Sequence, residues 1–211
     1  MGGVSKIIAR PKILLVCCMW FARPACPLIA PLPLYTYSIA LAQVGDPAVG
    51  KSALVQMFHS GGQRFPKAYN MTCGVEFSVK AVNVPGTEEA VEFHVFDSAG
   101  QDIFQEMMPS YWEGAKAVIL VYDVTRAHTL EACGHWYSRL LEVLQVDALP
   151  GAVVANKIDL RERLTVQRAQ GQQMADSLNM RYFETSALDG VDIDAPFVEL
   201  ANLFHGHGSK E

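Results

Sequence analysis

The sequence predicts an α/β domain in which helices cover both faces of a mostly parallel, six-stranded sheet. Apolar runs typical of buried strands alternate with helix-like segments along most of the 211 residues, and this alternation is typical of β-α-β units. A glycine-rich loop separates the first apolar run from the first helical segment. A Pro85-Gly86 turn indicates an antiparallel hairpin between the second and third strands, so one edge strand should run against the others.

The strands and helices can be placed from their apolar patterns. We expect strands at residues 37–44, 75–84, 90–97, 117–123, 151–156 and 180–185, and helices at residues 51–60, 103–113, 128–144, 165–178 and 193–205. Apolar residues in the third helix recur at helical spacing, so we interpret Trp136 as a core residue rather than a ligand platform. Residues 37–205 would then form one domain and residues 206–211 a flexible tail.

Composition excludes several classes of function. The net charge is −5 and no stripe of Lys and Arg is present, so a nucleic acid polymer is not an expected partner. The five cysteines show no metal-ligand or redox C-x-x-C spacing, which favours reduced thiols in the cytoplasm. No apolar run is long enough to span a bilayer as a helix.

The loop after the first strand reads G-D-P-A-V-G-K-S and fits the phosphate-binding pattern G-x-x-x-x-G-K-[ST]. Its glycines let successive N–H groups point at an anion, and the helix that follows adds the positive end of its dipole. Lys51 would reach the β- and γ-phosphates, and the Ser52 hydroxyl would ligate Mg²⁺. The expected nucleotide contacts of this segment are Gly45, Asp46, Pro47, Ala48, Val49, Gly50, Lys51, Ser52 and Ala53.

The segment D-S-A-G-Q at residues 97–101 ends the third predicted strand. Asp97 could hold Mg²⁺ through water at the carboxyl end of that strand. Gly100 lacks a Cβ, so its N–H could approach the γ-phosphate closely. Gln101 could orient an attacking water. The segment therefore predicts hydrolysis of a nucleoside triphosphate.

Two further strand ends predict which base is bound. N-K-I-D follows the fifth strand, and its last residue, Asp159, could accept hydrogen bonds from N1–H and the exocyclic amine of guanine. The same carboxylate would repel adenine, which presents an acceptor at N1. Lys157 would lie over the base, and amides after Glu184 would close on the guanine oxygen. The predicted base contacts are Asn156, Lys157, Asp159, Ser186, Ala187 and Leu188.

With these motifs in this order, residues 37–205 resemble the small GTPases of the Ras superfamily. T-C-G-V-E-F at residues 72–77 and V-Y-D-V-T at residues 121–125 are similar to the Rab branch. F-D-S-A-G at residues 96–100 and the segment 195–205 resemble the Rab-like GTPases of the intraflagellar transport B complex. The resemblance implies the P-loop small GTPase fold, GTP and GDP as ligands with Mg²⁺, and a location in the cytoplasm, the cilium or flagellum and the basal body.

The resemblance also implies roles for single residues. Thr72 matches the threonine that ligates Mg²⁺ only in the triphosphate state, so the metal ligands would be Ser52, Thr72 and Asp97. Phe65 matches an aromatic residue that packs on the guanine edge. The catalytic residues would be Gln101, Lys51 and Thr72. No arginine finger in cis can be identified, so intrinsic hydrolysis should be slow, on the order of one turnover per hour.

The resemblance is compatible with several hypotheses about the protein's role. Ordinary Rabs are prenylated on C-terminal cysteines, whereas the last cysteine here is Cys133, so no stable membrane anchor is expected. This favours a GTPase held in an assembly, with a β-sandwich subunit of the transport complex as partner. A Rab of vesicle traffic, and a scaffold subunit that binds GTP without cycling, remain alternatives.

Residues 1–36 do not fit the family. A basic start, the apolar run 13–22 and prolines at 24, 27, 31 and 33 imitate a signal peptide, although a GTP switch has no use in a secretory lumen. Three interpretations remain: a flexible, disordered extension, a segment that touches a membrane, or an artefactual start in the gene model. We favour the third, because small GTPases begin only a few residues before their first strand.

Overall fold

A six-stranded sheet in the order β2-β3-β1-β4-β5-β6 forms the centre of the computed structural model, which describes residues 35–208. The strands are β1 (Tyr35–Val44), β2 (Val75–Asn83), β3 (Glu89–Ser98), β4 (Ala117–Asp123), β5 (Gly151–Asn156) and β6 (Arg181–Thr185). All neighbouring strands are parallel except β2 and β3. The predicted sheet, with one antiparallel edge strand, is confirmed.

The described residues form five α-helices, of which four connect strands and the last follows β6: α1 (Lys51–His59), α2 (Met108–Trp112), α3 (Ala127–Leu144), α4 (Arg168–Ser177) and α5 (Ala195–Gly208). The prediction of one helix at 103–113 is wrong. A 3₁₀ turn (Asp102–Phe104) and the short α2 replace it. Pro109 explains the break, because it has no N–H to donate and its ring clashes with the preceding turn, whereas a place in the first turn of α2 suits it.

The strands alternate between two apolar layers, as the two-residue period of a β-strand requires. Leu41, Ile119 and Val121 pack in the layer that includes α1 and α5. Their neighbours Leu120 and Tyr122 pack in the layer that includes α2, α3 and α4. Trp136 is 7% exposed within the second layer, so its interpretation as a core residue is confirmed. Both faces of β4 and β5 are fully buried, so polar side chains on these two strands are confined to their carboxyl ends.

Lys80 of β2 holds the end of α1, from which the connection to β2 departs. Its ammonium donates to the Phe58 carbonyl, lies 3.9 Å from the centre of the Phe58 ring and is 3.7 Å from Asp194. The ring of Phe58 stacks on Phe197 of α5 with a centroid distance of 3.6 Å. The connection at residues 60–74, which carries Thr72, therefore starts from a fixed point.

The terminal segments are described only in part. The interpretations of the N-terminal extension concern residues 1–34, which lie outside the described residues, while residues 35 and 36 belong to β1. Of the predicted tail, residues 206–208 are the last turn of α5, and residues 209–211 lie outside. Within residues 35–208, none of the helices combines the length and apolar character that crossing a membrane requires.

Candidate nucleotide-binding site

The carboxyl ends of the parallel strands carry a cavity of about 600 Å³. In an open α/β sheet this edge is where ligands bind. The cavity brings together residues from four of the predicted segments. Its lining includes Pro47, Ala48, Gly50, Lys51, Ser52, Ala53, Phe65, Thr72, Asp97, Gly100, Gln101 and Lys157.

The loop between β1 and α1 packs so closely that two of its positions require glycine. Gly45 has φ +148°, and a Cβ there would lie 2.2 Å from the Val121 carbonyl oxygen. Gly50 has φ +99°, and its Cβ would lie 2.3 Å from the Asn156 amide nitrogen. That amide nitrogen donates to the Val49 carbonyl at 2.9 Å. The loop is therefore set against the ends of β4 and β5 by its backbone.

Lys51 occupies the inside of this loop. Its ammonium donates to the carbonyls of Gly45, at 2.8 Å, and Asp46, at 2.9 Å, and the residue is 6% exposed. Burial lowers the pKa of Lys51 to about 8, although the charges of Asp97 and Asp46 oppose the shift. A buried ammonium that makes no ion pair with any described residue is suited to an anionic ligand such as a phosphate.

Within residues 35–208, no group makes a hydrogen bond of normal geometry to the carboxylate of Asp97 at the end of β3. Asp97 is 2% exposed, and both of its oxygens are buried without a hydrogen bond. Burial raises the pKa of Asp97 to about 6, although Ser52 and Lys51 nearby oppose the shift. Buried polar groups are nearly always satisfied in folded proteins. A cation, bound directly or through water, would stabilise the buried negative charge of Asp97.

The geometry beside Asp97 fits Mg²⁺. The hydroxyl oxygens of Ser52, in the first turn of α1, and Thr72 lie 2.7 Å apart. Adjacent oxygen ligands of an octahedral Mg²⁺ stand about 2.9 Å apart, so the two hydroxyls could bind side by side. With the carboxylate of Asp97, the donors are all oxygens, which Mg²⁺ prefers.

The segment after β3 lies directly against the phosphate-binding loop. A Cβ on Gly100 would lie 2.4 Å from the carbonyl carbon of Asp46 and 2.5 Å from the nitrogen of Pro47. Gln101 follows with an extended backbone, φ −94° and ψ 143°, just before the 3₁₀ turn. Gln101 is one of the residues that line the cavity. Glycine at position 100 therefore lets the Gln101 segment approach the loop.

The segments predicted to recognise the base meet beside the cavity, mostly outside its lining. The Ser186 hydroxyl donates to Asp159 at 2.6 Å, and the Ala187 N–H donates to the side-chain oxygen of Asn156 at 3.2 Å. These bonds join the loop after β5 to the loop after β6. Leu188 is 55% exposed. Lys157 lines the cavity and donates to the Ala48 carbonyl at 2.7 Å, which connects the base segments to the phosphate-binding loop.

No supporting role was predicted for Trp136 or Gln43, although both contact the phosphate-binding segment. Trp136 of α3 donates its indole N–H to the Asp46 carboxylate at 2.9 Å. Gln43, fully buried in β1, donates to the Lys51 carbonyl at 2.7 Å. Gln43 could have been noticed in the sequence, because it is a polar residue in the otherwise apolar end of β1. No local signal pointed to Trp136, because 90 residues separate it from Asp46.

A loop of the phosphate-binding pattern, three oxygen-bearing side chains beside it and paired loops after β5 and β6 are the features expected of a P-loop nucleotide-binding protein. The profile of the Ras family matches residues 40–205. The chain belongs to the Ras family. Ras-family GTPases bind guanine nucleotide, generally with Mg²⁺, and the family as a whole hydrolyses GTP.

Several characterised proteins are similar to this chain. The Intraflagellar transport protein 27 homolog of Mus musculus is 44% identical over 161 residues, which cover 76% of this chain and 87% of that protein. Intraflagellar transport protein 27 of Chlamydomonas reinhardtii is 39% identical over 81% of this chain and 85% of its own length. Ras-related protein Rab-8B of Dictyostelium discoideum is 30% identical over 79% and 80%.

Proposed function

We propose that this chain is a guanine-nucleotide switch of intraflagellar transport that hydrolyses GTP slowly. The observation that carries the proposal is the single cavity in which Lys51, Ser52, Thr72, Asp97 and Gln101 meet. The proposed role in intraflagellar transport is supported by relatives in mouse, Chlamydomonas and Trypanosoma brucei brucei that are named intraflagellar transport protein 27 or its homolog. Residues 37–205 would form the switch domain.

Each residue of the cavity has a distinct proposed task. Lys51 and the loop amides bind the β- and γ-phosphates, and Ser52, Thr72 and Asp97 hold Mg²⁺, which neutralises charge on those phosphates when bound. Gln101 orients the attacking water. Because Pro47 has no N–H, the loop offers one donor fewer beside the γ-phosphate. We expect slow hydrolysis, since no arginine of this chain is assigned to the transition state.

The two nucleotide states would expose different surfaces. Thr72 reaches Ser52 only when the connection from α1 to β2 is folded inward, as it is here. After loss of the γ-phosphate, Thr72 and Gly100 would be released and the segments around them would relax. Partners that distinguish GTP from GDP would bind at these segments.

The proposed constant partner is a β-sandwich subunit of the intraflagellar transport B complex, and the proposed location is the cytoplasm and cilium, including the basal body. A role in vesicle traffic is the second candidate, because Rab-8B also matches most of the chain. Affinity purification from ciliated cells distinguishes the two. Recovery with a transport particle supports the first candidate, and recovery with vesicle membranes through a prenyl group supports the second.

Guanine selectivity gives the sharpest test of the nucleotide site. Wild-type protein should bind GTP far more tightly than ATP in equilibrium competition. Asp159→Asn should shift the preference toward xanthosine triphosphate, because xanthine presents a carbonyl where guanine has its amine. Asp192→Asn is the matched control, since Asp192 is exposed and asparagine tolerates its φ of +51°. Equal binding of GTP and ATP by the wild type would refute the proposal.

A further inference from the structure

Asp123, the last residue of β4 and part of the V-Y-D-V-T segment, is the centre of an ionic network beside the phosphate-binding loop. It is 2% exposed and accepts hydrogen bonds from Lys157 at 2.6 Å and Arg126 at 3.2 Å. The N–H and hydroxyl of Thr125 donate at 2.9 and 2.6 Å. Burial alone would raise the pKa of Asp123, but the bonds from Lys157 and Thr125 outweigh it and lower the pKa. Asp123 is therefore a carboxylate at neutral pH.

Both cations bound to Asp123 also reach the phosphate-binding loop. The guanidinium of Arg126 donates to the Pro47 carbonyl at 2.9 Å, and the ammonium of Lys157 donates to the Ala48 carbonyl at 2.7 Å. Two consecutive loop carbonyls are thus held by cations that share one carboxylate. Arg126 also lies near enough to Lys51 to contribute to its lowered pKa.

Ala48 and Lys157, which this network joins, both have strained backbone conformations. Ala48 has φ +58° and Lys157 has φ +70°, and both are non-glycine residues in the disfavoured left-handed region. Such conformations persist where the surroundings over-determine them. Pro47 has no backbone N–H, so its carbonyl is the only backbone hydrogen-bonding group of the residue. Arg126 anchors that carbonyl.

We propose that Arg126 and Asp123 are positioning residues that hold Pro47 and Ala48 in the phosphate-binding conformation and thereby slow nucleotide release. The inference rests on the proposed function as a guanine-nucleotide switch. Lys157 belongs to the same network and connects it to the base. The network acts on the nucleotide through the loop, so its loss should speed dissociation of bound GDP.

The experiment measures release of a fluorescent methylanthraniloyl GDP into excess GDP by stopped flow, with Mg²⁺ present. Arg126→Ala should speed release about tenfold, the effect of losing one charge-assisted hydrogen bond at a partly exposed site. Arg126→Lys should release at a similarly raised rate, because one ammonium cannot reproduce a fork that spans Asp123 and Pro47. Arg181→Ala is the control, since Arg181 also pairs with a carboxylate, Glu199 at 3.0 Å, and should leave the rate unchanged.

A double-mutant cycle separates positioning from general loosening. Asp123→Asn alone should also speed release, and Asp123→Asn with Arg126→Ala should speed it by less than the product of the single effects, because both act on one network. Thermal unfolding of the GDP-bound proteins checks that each variant folds. If Arg126→Ala does not fold, Arg126→Lys, which keeps the charge, decides alone.

Two results would overturn the inference. Wild-type release rates in Arg126→Lys would show that the guanidinium holds nothing that affects the nucleotide. Multiplicative effects in the double variant would show that Asp123 and Arg126 act independently. If the wild type binds guanine nucleotide and either result is found, only this inference fails. If the wild type does not bind guanine nucleotide, the proposed function fails with it.

Discussion

The hydroxyl oxygens of Ser52 and Thr72 lie 2.7 Å apart, although the two residues are 20 positions apart in the chain. Ser52 belongs to the first turn of α1, whereas Thr72 belongs to the connection between α1 and β2. Both residues line the same cavity as Asp97, whose buried carboxylate oxygens accept no hydrogen bond of normal geometry from residues 35–208. The contact therefore joins the connection between α1 and β2 to the proposed metal site.

The first prediction concerns this pair. Ser52→Asn should weaken GTP binding more than GDP binding, because the proposed metal bridges the β- and γ-phosphates only in the triphosphate. Titration of each nucleotide at fixed Mg²⁺ measures the difference. Ser138→Asn on the exposed face of α3 is the matched control. Equal losses for GTP and GDP would contradict a metal role for Ser52.

The second prediction concerns hydrolysis. Gln101→Leu should slow single-turnover GTP hydrolysis several-fold or more and leave GTP affinity nearly unchanged, because the side chain would act on the water and not on the bound nucleotide. Released phosphate measures the rate. Gln172→Leu on exposed α4 should hydrolyse GTP like the wild type. An unchanged rate in Gln101→Leu would favour the scaffold alternative, in which the protein binds GTP without cycling.

The third prediction concerns pH. The pKa of Asp97 is raised by burial to about 6, so in the metal-free protein protons compete for this carboxylate below about pH 6. Since a metal requires the ionised form, the apparent Mg²⁺ affinity of the GDP complex should fall as pH drops through 6 and level off above it. GDP release at graded Mg²⁺ concentrations measures this. The pH dependence of Mg²⁺ affinity should vanish in Asp97→Asn. If it persists in that variant, a group other than Asp97 causes it.

The same shift has a consequence for stability in the absence of metal. The ordinary pKa of Asp97 is 3.8, so between about pH 4 and pH 6 the folded metal-free state binds more protons than the unfolded state. The free energy of unfolding should therefore decrease as pH rises through this window. Denaturant titrations in EDTA at pH 4.5 and pH 7 compare the two ends. Asp97→Asn should abolish this contribution, and an equal decrease in that variant would contradict the assignment.

The fourth prediction concerns Trp136. Trp136→Phe removes the indole N–H that Asp46 accepts and should reduce the free energy of unfolding by about 1 to 3 kcal/mol through the lost hydrogen bond and lost volume. Urea titration of the GDP complex measures it. In an Asp46→Ala background the same change should cost less, because the hydrogen bond is already gone. An equal cost in both backgrounds would show that packing accounts for the whole effect.

Local patterns were enough to predict the motifs and most elements. The sheet depends on apolar runs and on the Pro-Gly turn, and these are properties of neighbouring residues, so its six strands were predicted to within about two residues at each end. The helix predicted at 103–113 was wrong because a local signal was overlooked. Pro109 is visible in the sequence, and it could be accommodated only at the start of a new helix.

The sequence by itself determined which chemical groups this protein can bring to a nucleotide: a glycine loop with Lys51, an aspartate at the end of β3 and a carboxylate at Asp159. These follow from order and spacing along the chain. Only the tertiary structure decided which groups support them, since Trp136 meets Asp46 across 90 positions and Arg126 meets Pro47 across 79. A hydrogen bond needs two groups within about 3 Å, and such separations in space are set by the packing of helices on the sheet, which no local pattern encodes.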